Sequence, residues 1–162
     1  MKRLLAIAVI VTAFMASESY AQSATANVQL TVNGALAIAA THNLLNLGSV
    51  AAGTTASVAY SDANAALFTI TSTNPGSSFS LTWSSSQYLS NGSWNLTPAY
   101  SVYGNGANLT TGAASLTSGG PALITDATTG NYYVFVGASV PVPSNAGGGT
   151  YNGTITMTVA LN

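Results

Sequence analysis

The sequence predicts an all-β fold, an immunoglobulin-like β-sandwich of about seven or eight strands, and three observations carry that reading. Apolar residues recur at every second position through much of the chain. Gly, Asn and Pro punctuate those runs at short intervals. No stretch beyond the N-terminal leader holds a helical spacing for two convincing turns. Period two sends successive side chains to opposite faces of a sheet, so each run specifies a strand with one apolar face. A closed barrel is the alternative architecture.

The elements follow in chain order. Ala26, Val28, Leu30 and Val32 alternate with Asn27, Gln29, Thr31 and Asn33, and Leu36 and Ile38 continue the row beyond Asn33-Gly34. Thr41-His42-Asn43 reads as loop. A second run covers Thr55 to Tyr60, and a third sets Phe68 and Ile70 between Thr69 and Thr71. Asp62 to Leu67 is alanine-rich, but too short to be stable as a helix. Asn74-Pro75-Gly76 turns the chain, because proline fixes φ and glycine accepts positive φ. Phe79, Leu81 and Trp83 share one strand face, and Asn91-Gly92 closes a hairpin onto Trp94 and Leu96. Residues 104–120 are rich in Gly, Asn, Ser and Thr and read as loop, with one short strand around Leu109. Tyr132 to Val140 is a nearly continuous β-branched and aromatic run suited to burial on both faces, ended by Pro141 and Pro143. After Gly147-Gly148-Gly149 the last strand sets Ile155, Met157, Val159 and Leu161 on one face. Thr154, Thr156, Thr158 and Ala160 occupy the other.

Charge is nearly absent. Lys2 and Arg3 are the only basic residues, and they precede an apolar run from Leu4 to Ala16 and small residues at Ser19 and Ala21. That order is the pattern of a secretory signal peptide over residues 1–21. The run is about a dozen residues, short of the roughly 20 a membrane span needs, so export without membrane insertion is expected. Removing 21 of the 162 residues leaves 141, the size of one domain. With no cysteine there is no disulfide, thiolate metal site or thiol nucleophile. Residues 22–162 offer no cation to neutralise phosphate, which excludes ordinary nucleic-acid binding and attraction to anionic membranes. A near-neutral surface also lacks the repulsion that keeps proteins apart, and favours packing against copies of the same chain.

Catalysis has little to work with. One histidine, His42, and two acids, Asp62 and Asp126, remain beyond the leader. A nucleophile needs a base within reach and a group to orient it, and no Gly-x-Ser-x-Gly elbow occurs. Both aspartates sit in flanks that read as turns. Asp62-Ala63-Asn64 presents two oxygen ligands where calcium takes six or more. No enzyme activity, catalytic residue, cofactor or metal site is expected. The Thr154, Thr156 and Thr158 row reads as a solvated strand face. The aromatics Trp83, Tyr88, Trp94, Tyr100 and Tyr103 could stack on sugar rings, but more of them are expected in the core.

The C-terminus carries the most specific pattern. Counting back from Asn162 as one, Leu161, Val159, Met157 and Ile155 fall at two, four, six and eight, and Gly149 at fourteen. This resembles the C-terminal signature of bacterial chaperone–usher pilin subunits. Leu161 stands where an aromatic residue is usual, and the common cysteine pair is missing. The segment Gly149-Thr150-Tyr151-Asn152-Gly153-Thr154 resembles the closing strand of spore-coat-U-like exported domains. Leu45-Asn46-Leu47-Gly48-Ser49-Val50-Ala51-Ala52-Gly53 is similar to their second strand.

The resemblance implies a pilin-like domain over residues 34–162 that lacks one strand, with residues 22–33 as a donor segment or an ordinary first strand. In such families a neighbour's N-terminal segment completes the sheet by β-augmentation. Ala26, Val28, Leu30 and Val32 would be the donor anchors. Gly149, Ile155, Met157, Val159 and Leu161 would form the acceptor edge. The implied function is a structural subunit of an extracellular fibre or pilus, exported through the periplasm to the cell surface. Its partners would be copies of itself, a periplasmic chaperone and an outer-membrane usher. The alternative is a secreted monomeric binding module, a complete sandwich holding a glycan or a cell-surface protein. The two differ in whether Ala24 to Val32 pairs within its own sheet.

Overall fold

The computed structural model describes residues 35–162. Every regular element among them is a β-strand: β1 (Leu36–His42), β2 (Thr55–Val58), β3 (Ala66–Ser72), β4 (Ser78–Ser85), β5 (Leu89–Ser90), β6 (Asn95–Leu96), β7 (Ala99–Asn105), β8 (Ala114–Ser115), β9 (Leu123–Ile124), β10 (Asn131–Pro141) and β11 (Ile155–Leu161). Seven of the eleven span four residues or more, close to the expected number, and the other four are two-residue pairings within connections. All ladders are antiparallel. The larger sheet runs β1-β3-β10-β7-β8, with β2 beside the second half of β10; the smaller runs β11-β4-β9; β5 and β6 form a separate hairpin.

The long apolar run is the centre of the larger sheet. β10 pairs with β3 and then β2 along one edge and with β7 along the other. Both of its faces are covered in the middle, so the alternation of inside and outside disappears over five consecutive residues, Val134 to Ala138, which are all buried. Proline donates no backbone hydrogen bond, and Pro141 is the last residue of this strand.

The two sheets share one core. Ile70, Val102, Tyr132, Val134 and Val136 from the larger sheet meet Phe79, Leu81 and Met157 from the smaller. Phe79 meets Tyr132 edge to face with centroids 5.4 Å apart, a preferred aromatic geometry. A smaller cluster of Ala56, Leu96 and Val140 is flanked by Leu47, Leu89, Val142, Ala146 and Tyr151.

Turn chemistry behaves as the residues dictate. Gly76 takes φ 75°, as the third position of a type II turn requires after Pro75. The Asn91 side-chain oxygen accepts the amides of Ser93 and Trp94 and closes the β5–β6 hairpin, with Gly92 at φ 93°.

Three expectations need correction. His42 is not in a loop: it ends β1, opposite Leu67, after a bulge that follows Ala40. The segment Leu45 to Gly48 forms no strand; Leu45 and Leu47 instead drop onto the two core clusters from an irregular connection. Leu109 belongs to no strand and is 62% exposed, and the short strand of that region is β8, where Leu116 packs on the main core just beyond it.

Candidate functional site: two open strand edges

β1 and β11 are each seven residues long, and each has one paired edge. Among the described residues β1 pairs only with β3, and β11 only with β4. The two strands approach one another, yet no ladder joins them. An unpaired edge displays free N–H and C=O groups and recruits other strands unless something blunts it. The usual devices are Lys, Pro or an inward charge. β1 reads Leu-Ala-Ile-Ala-Ala-Thr-His and β11 reads Ile-Thr-Met-Thr-Val-Ala-Leu, so neither carries Lys, Arg, Asp, Glu or Pro.

The faces of these strands are as incomplete as their edges. Leu36 and Ile38 of β1 and Ile155 and Val159 of β11 pack on the main core, but only half-buried. Met157, between Ile155 and Val159, is buried at 8% exposure, while Leu161 at the strand end is 40% exposed. Ile70 and Val134, deeper in the larger sheet, are fully enclosed. The inward row is therefore sealed in the middle of the sandwich and open along β1 and β11. On the reverse side of β11, Thr156, Thr158 and Ala160 face outward, opposite Ser84, Thr82 and Ser80 of β4.

The structure brings Ile155, Met157, Val159 and Leu161 onto one strand face, and places Gly149 elsewhere. Gly149 lies in the connection between β10 and β11 with φ 140°, against the Asn91 side chain of the β5–β6 turn. That connection is anchored by a bridge from Asn152 to Ser90 and by the Tyr151 hydroxyl, which donates to the Gly147 carbonyl at 2.6 Å. Ala26, Val28, Leu30 and Val32 lie outside the described residues. Sequence reasoning singled out β11 but not β1 as an open edge. The signal was present in its composition: small residues on the outward positions and no charge.

The two aspartates organise turns. Asp62 Oδ2 accepts the Ala59 amide at 2.8 Å. Asp126 Oδ1 accepts the amides of Thr128 and Thr129 and the Thr129 hydroxyl. Those bonds, led by the Thr129 amide, hold its carboxyl below the usual carboxylate range. Burial pushes the Tyr132 and Tyr100 hydroxyls upward. Among the described residues no three His, Cys, Asp or Glu side chains gather as a metal site, and no helix is long and apolar enough to cross a membrane.

Comparison of the chain with protein-family models, curated proteins and solved structures finds no match.

Proposed function

We propose that this protein is an exported structural subunit of a cell-surface fibre, with an immunoglobulin-like sandwich completed by β-strand donation between copies. The observation that carries this reading is the pair of unblunted seven-residue edges, β1 and β11, flanking a half-buried apolar seam. The proposed occupant is the segment Ala26 to Val32 of a neighbouring copy. It is also seven residues long, and Ala26, Val28, Leu30 and Val32 supply an apolar row of matching period. Burying Val28, Leu30 and Val32 would contribute roughly 1.5–3 kcal/mol per side chain, with backbone hydrogen bonds fixing register.

Phase favours donation to a neighbour over folding back. Asn33-Gly34 is a strong signal for a two-residue hairpin. Such a hairpin would set Leu30 opposite Ala37 and Val28 opposite Ala39, and directly paired residues share a face. Ala37 and Ala39 are both exposed, whereas Leu36 and Ile38 face inward. The fold-back would therefore turn Val28 and Leu30 to solvent and press Gln29 and Thr31 against the core. A strand arriving from another molecule chooses its register freely, and a one-residue shift exchanges the two faces. In a straight passage from Val32 to Leu36, by contrast, all the even-numbered apolar residues stay on one face.

This reading makes the signal peptide at 1–21 an export device. A periplasmic chaperone would cover the open edges before assembly, and an outer-membrane usher would order the exchange. The test is Leu30→Asp, which introduces an unpaired charge into an apolar seam. Negative-stain microscopy should show fibres from the unaltered protein, and only monomer or a chaperone complex from the variant. Normal fibres from Leu30→Asp, or an unaltered protein that stays monomeric at high concentration, would overturn the assignment.

A further inference from the structure

We propose that the cleft beside the end of β1 is a binding site for a neutral saccharide ring, a function separate from strand exchange. The cleft encloses about 350 Å³ and is lined by Thr41, His42, Tyr60, Asp62, Asn108 and Thr110 over a floor that includes Leu67 and Phe135. That volume is at the small end of ligand pockets, the scale of a single sugar unit rather than a peptide.

Its residues are unusual for this chain. Beyond the leader the only His, Asp or Glu side chains are His42, Asp62 and Asp126, and two of the three line this one cleft. Each is delivered there by a local irregularity. The bulge between Ala40 and His42 breaks the β1–β3 register and re-aims the last residue of the strand. Asp62 is fixed by a turn in which Oδ2 accepts the Ala59 amide, which leaves Oδ1 available to accept a hydroxyl. Tyr60 stacks on Tyr103 with centroids 3.8 Å apart and planes 12° from parallel, so its ring is held rigid before any ligand arrives. The close passage of the Val58–Tyr60 backbone over Gly137 fixes the same segment from below.

The chemistry selects the ligand. A sugar ring offers hydroxyls around its rim and C–H groups on its faces. The cleft matches this with acceptors and donors at its rim (Asp62, His42, Asn108, Thr41, Thr110) and apolar carbon beneath them at Leu67 and Phe135, both buried. No lysine or arginine is present to hold a phosphate, sulfate or carboxylate. One carboxylate is too few for a divalent cation. A neutral polyhydroxylated ring uses all of these groups, its hydroxyls donating to the Asp62 carboxylate and its C–H face lying on the apolar carbon.

The test is titration of the isotopically labelled mature protein with methyl glucoside, methyl galactoside and methyl mannoside, followed by amide chemical shifts. At least one sugar should give saturable shifts confined to residues 41–42, 58–66 and 106–110. Asn108→Ala should weaken that sugar about tenfold, the loss of one good hydrogen bond, while its spectrum remains folded and its fibres normal; His42→Ala, at the end of β1, should weaken the sugar to a similar extent. Asp62→Asn retains an oxygen for the Ala59 amide and separates the charge from the turn; it should weaken binding with the loop shifts unchanged. Absence of saturable shifts with all three sugars, or shifts that persist undiminished in His42→Ala and Asn108→Ala, would overturn the site. Because fibre formation is scored separately, failure here leaves strand donation untouched.

Discussion

Two glycines show how little added side-chain volume this fold tolerates. Gly137 sits in the middle of β10, and a Cβ there would meet the Val58 carbonyl oxygen at 2.5 Å and the Tyr60 nitrogen at 2.6 Å. Both are backbone atoms, so neither can rotate away. Gly104 is also crowded, but by the Tyr132 ring at 2.6 Å and Leu116 at 2.7 Å, which are side chains. Gly104→Ala should cost about 1–3 kcal/mol as ordinary overpacking, and Gly137→Ala more, compared by urea midpoints. Asp126 provides the pH dependence. Its carboxyl is held low in the folded state by the Thr129 and Thr128 amides and the Thr129 hydroxyl. A depressed folded pKa stabilises above the unfolded value of about 3.9, and that stabilisation is lost as pH falls through the lower folded value. The unaltered protein should therefore lose stability relative to Asp126→Ala below about pH 4, and the two stability curves should run parallel above it, as read from urea midpoints across a pH series. Both aspartate turns were legible from their flanking residues, because short acidic side chains satisfy nearby amides wherever they occur. His42 was not legible, because a bulge is a property of two paired strands and no single strand records it.

At the scale of elements, centre and edge should respond differently to the same loss. Ile70 of β3 is fully buried, and Ile70→Ala should cost about 2–5 kcal/mol of subunit stability, measured by denaturant unfolding. Ile38 of β1 is only half-buried, so Ile38→Ala should be milder in the isolated protein; under the proposed strand donation it should still slow fibre growth, because its remaining contacts would form only when the seam is filled. An equal loss at both positions would remove β1 from the joint. The long strands were readable because their own alternation, or in β10 its absence, states how many faces are covered. β11 announced its inward row of Ile155, Met157 and Val159, and the hairpin around Asn91-Gly92 announced its turn. The two-residue strands β8 and β9 were hidden in Gly- and Ser-rich sequence because their pairing is imposed by β7 and β4. Leu45 and Leu47 carried strand-like alternation but became irregular anchors, each packing on a different core cluster. Which edges stay open is likewise a relation between strands, visible only once the ladders are placed.

For the whole molecule, the missing charge sets the behaviour. No lysine or arginine follows Arg3, so trypsin should leave the mature chain intact even in urea, as judged by intact mass; fragments would show that the leader remains attached. Screening has almost nothing to act on, so unfolding midpoints should barely move between dilute and molar sodium chloride, whereas sulfate should raise them by strengthening apolar burial. The ladder of the smaller sheet has a further effect, on timing. β11 pairs with β4 in a register that joins Leu161 to Phe79 and Ile155 to Ser85. The smaller sheet therefore waits until residues 155–161 are synthesised, since among the described residues β4 has only the two-residue β9 as its other neighbour. Because long-range pairing is slow to form, the second layer closes late in folding. Any truncation that removes residues 155–162 strips β4 of its main partner, so early termination yields a half-sandwich with no route to closure.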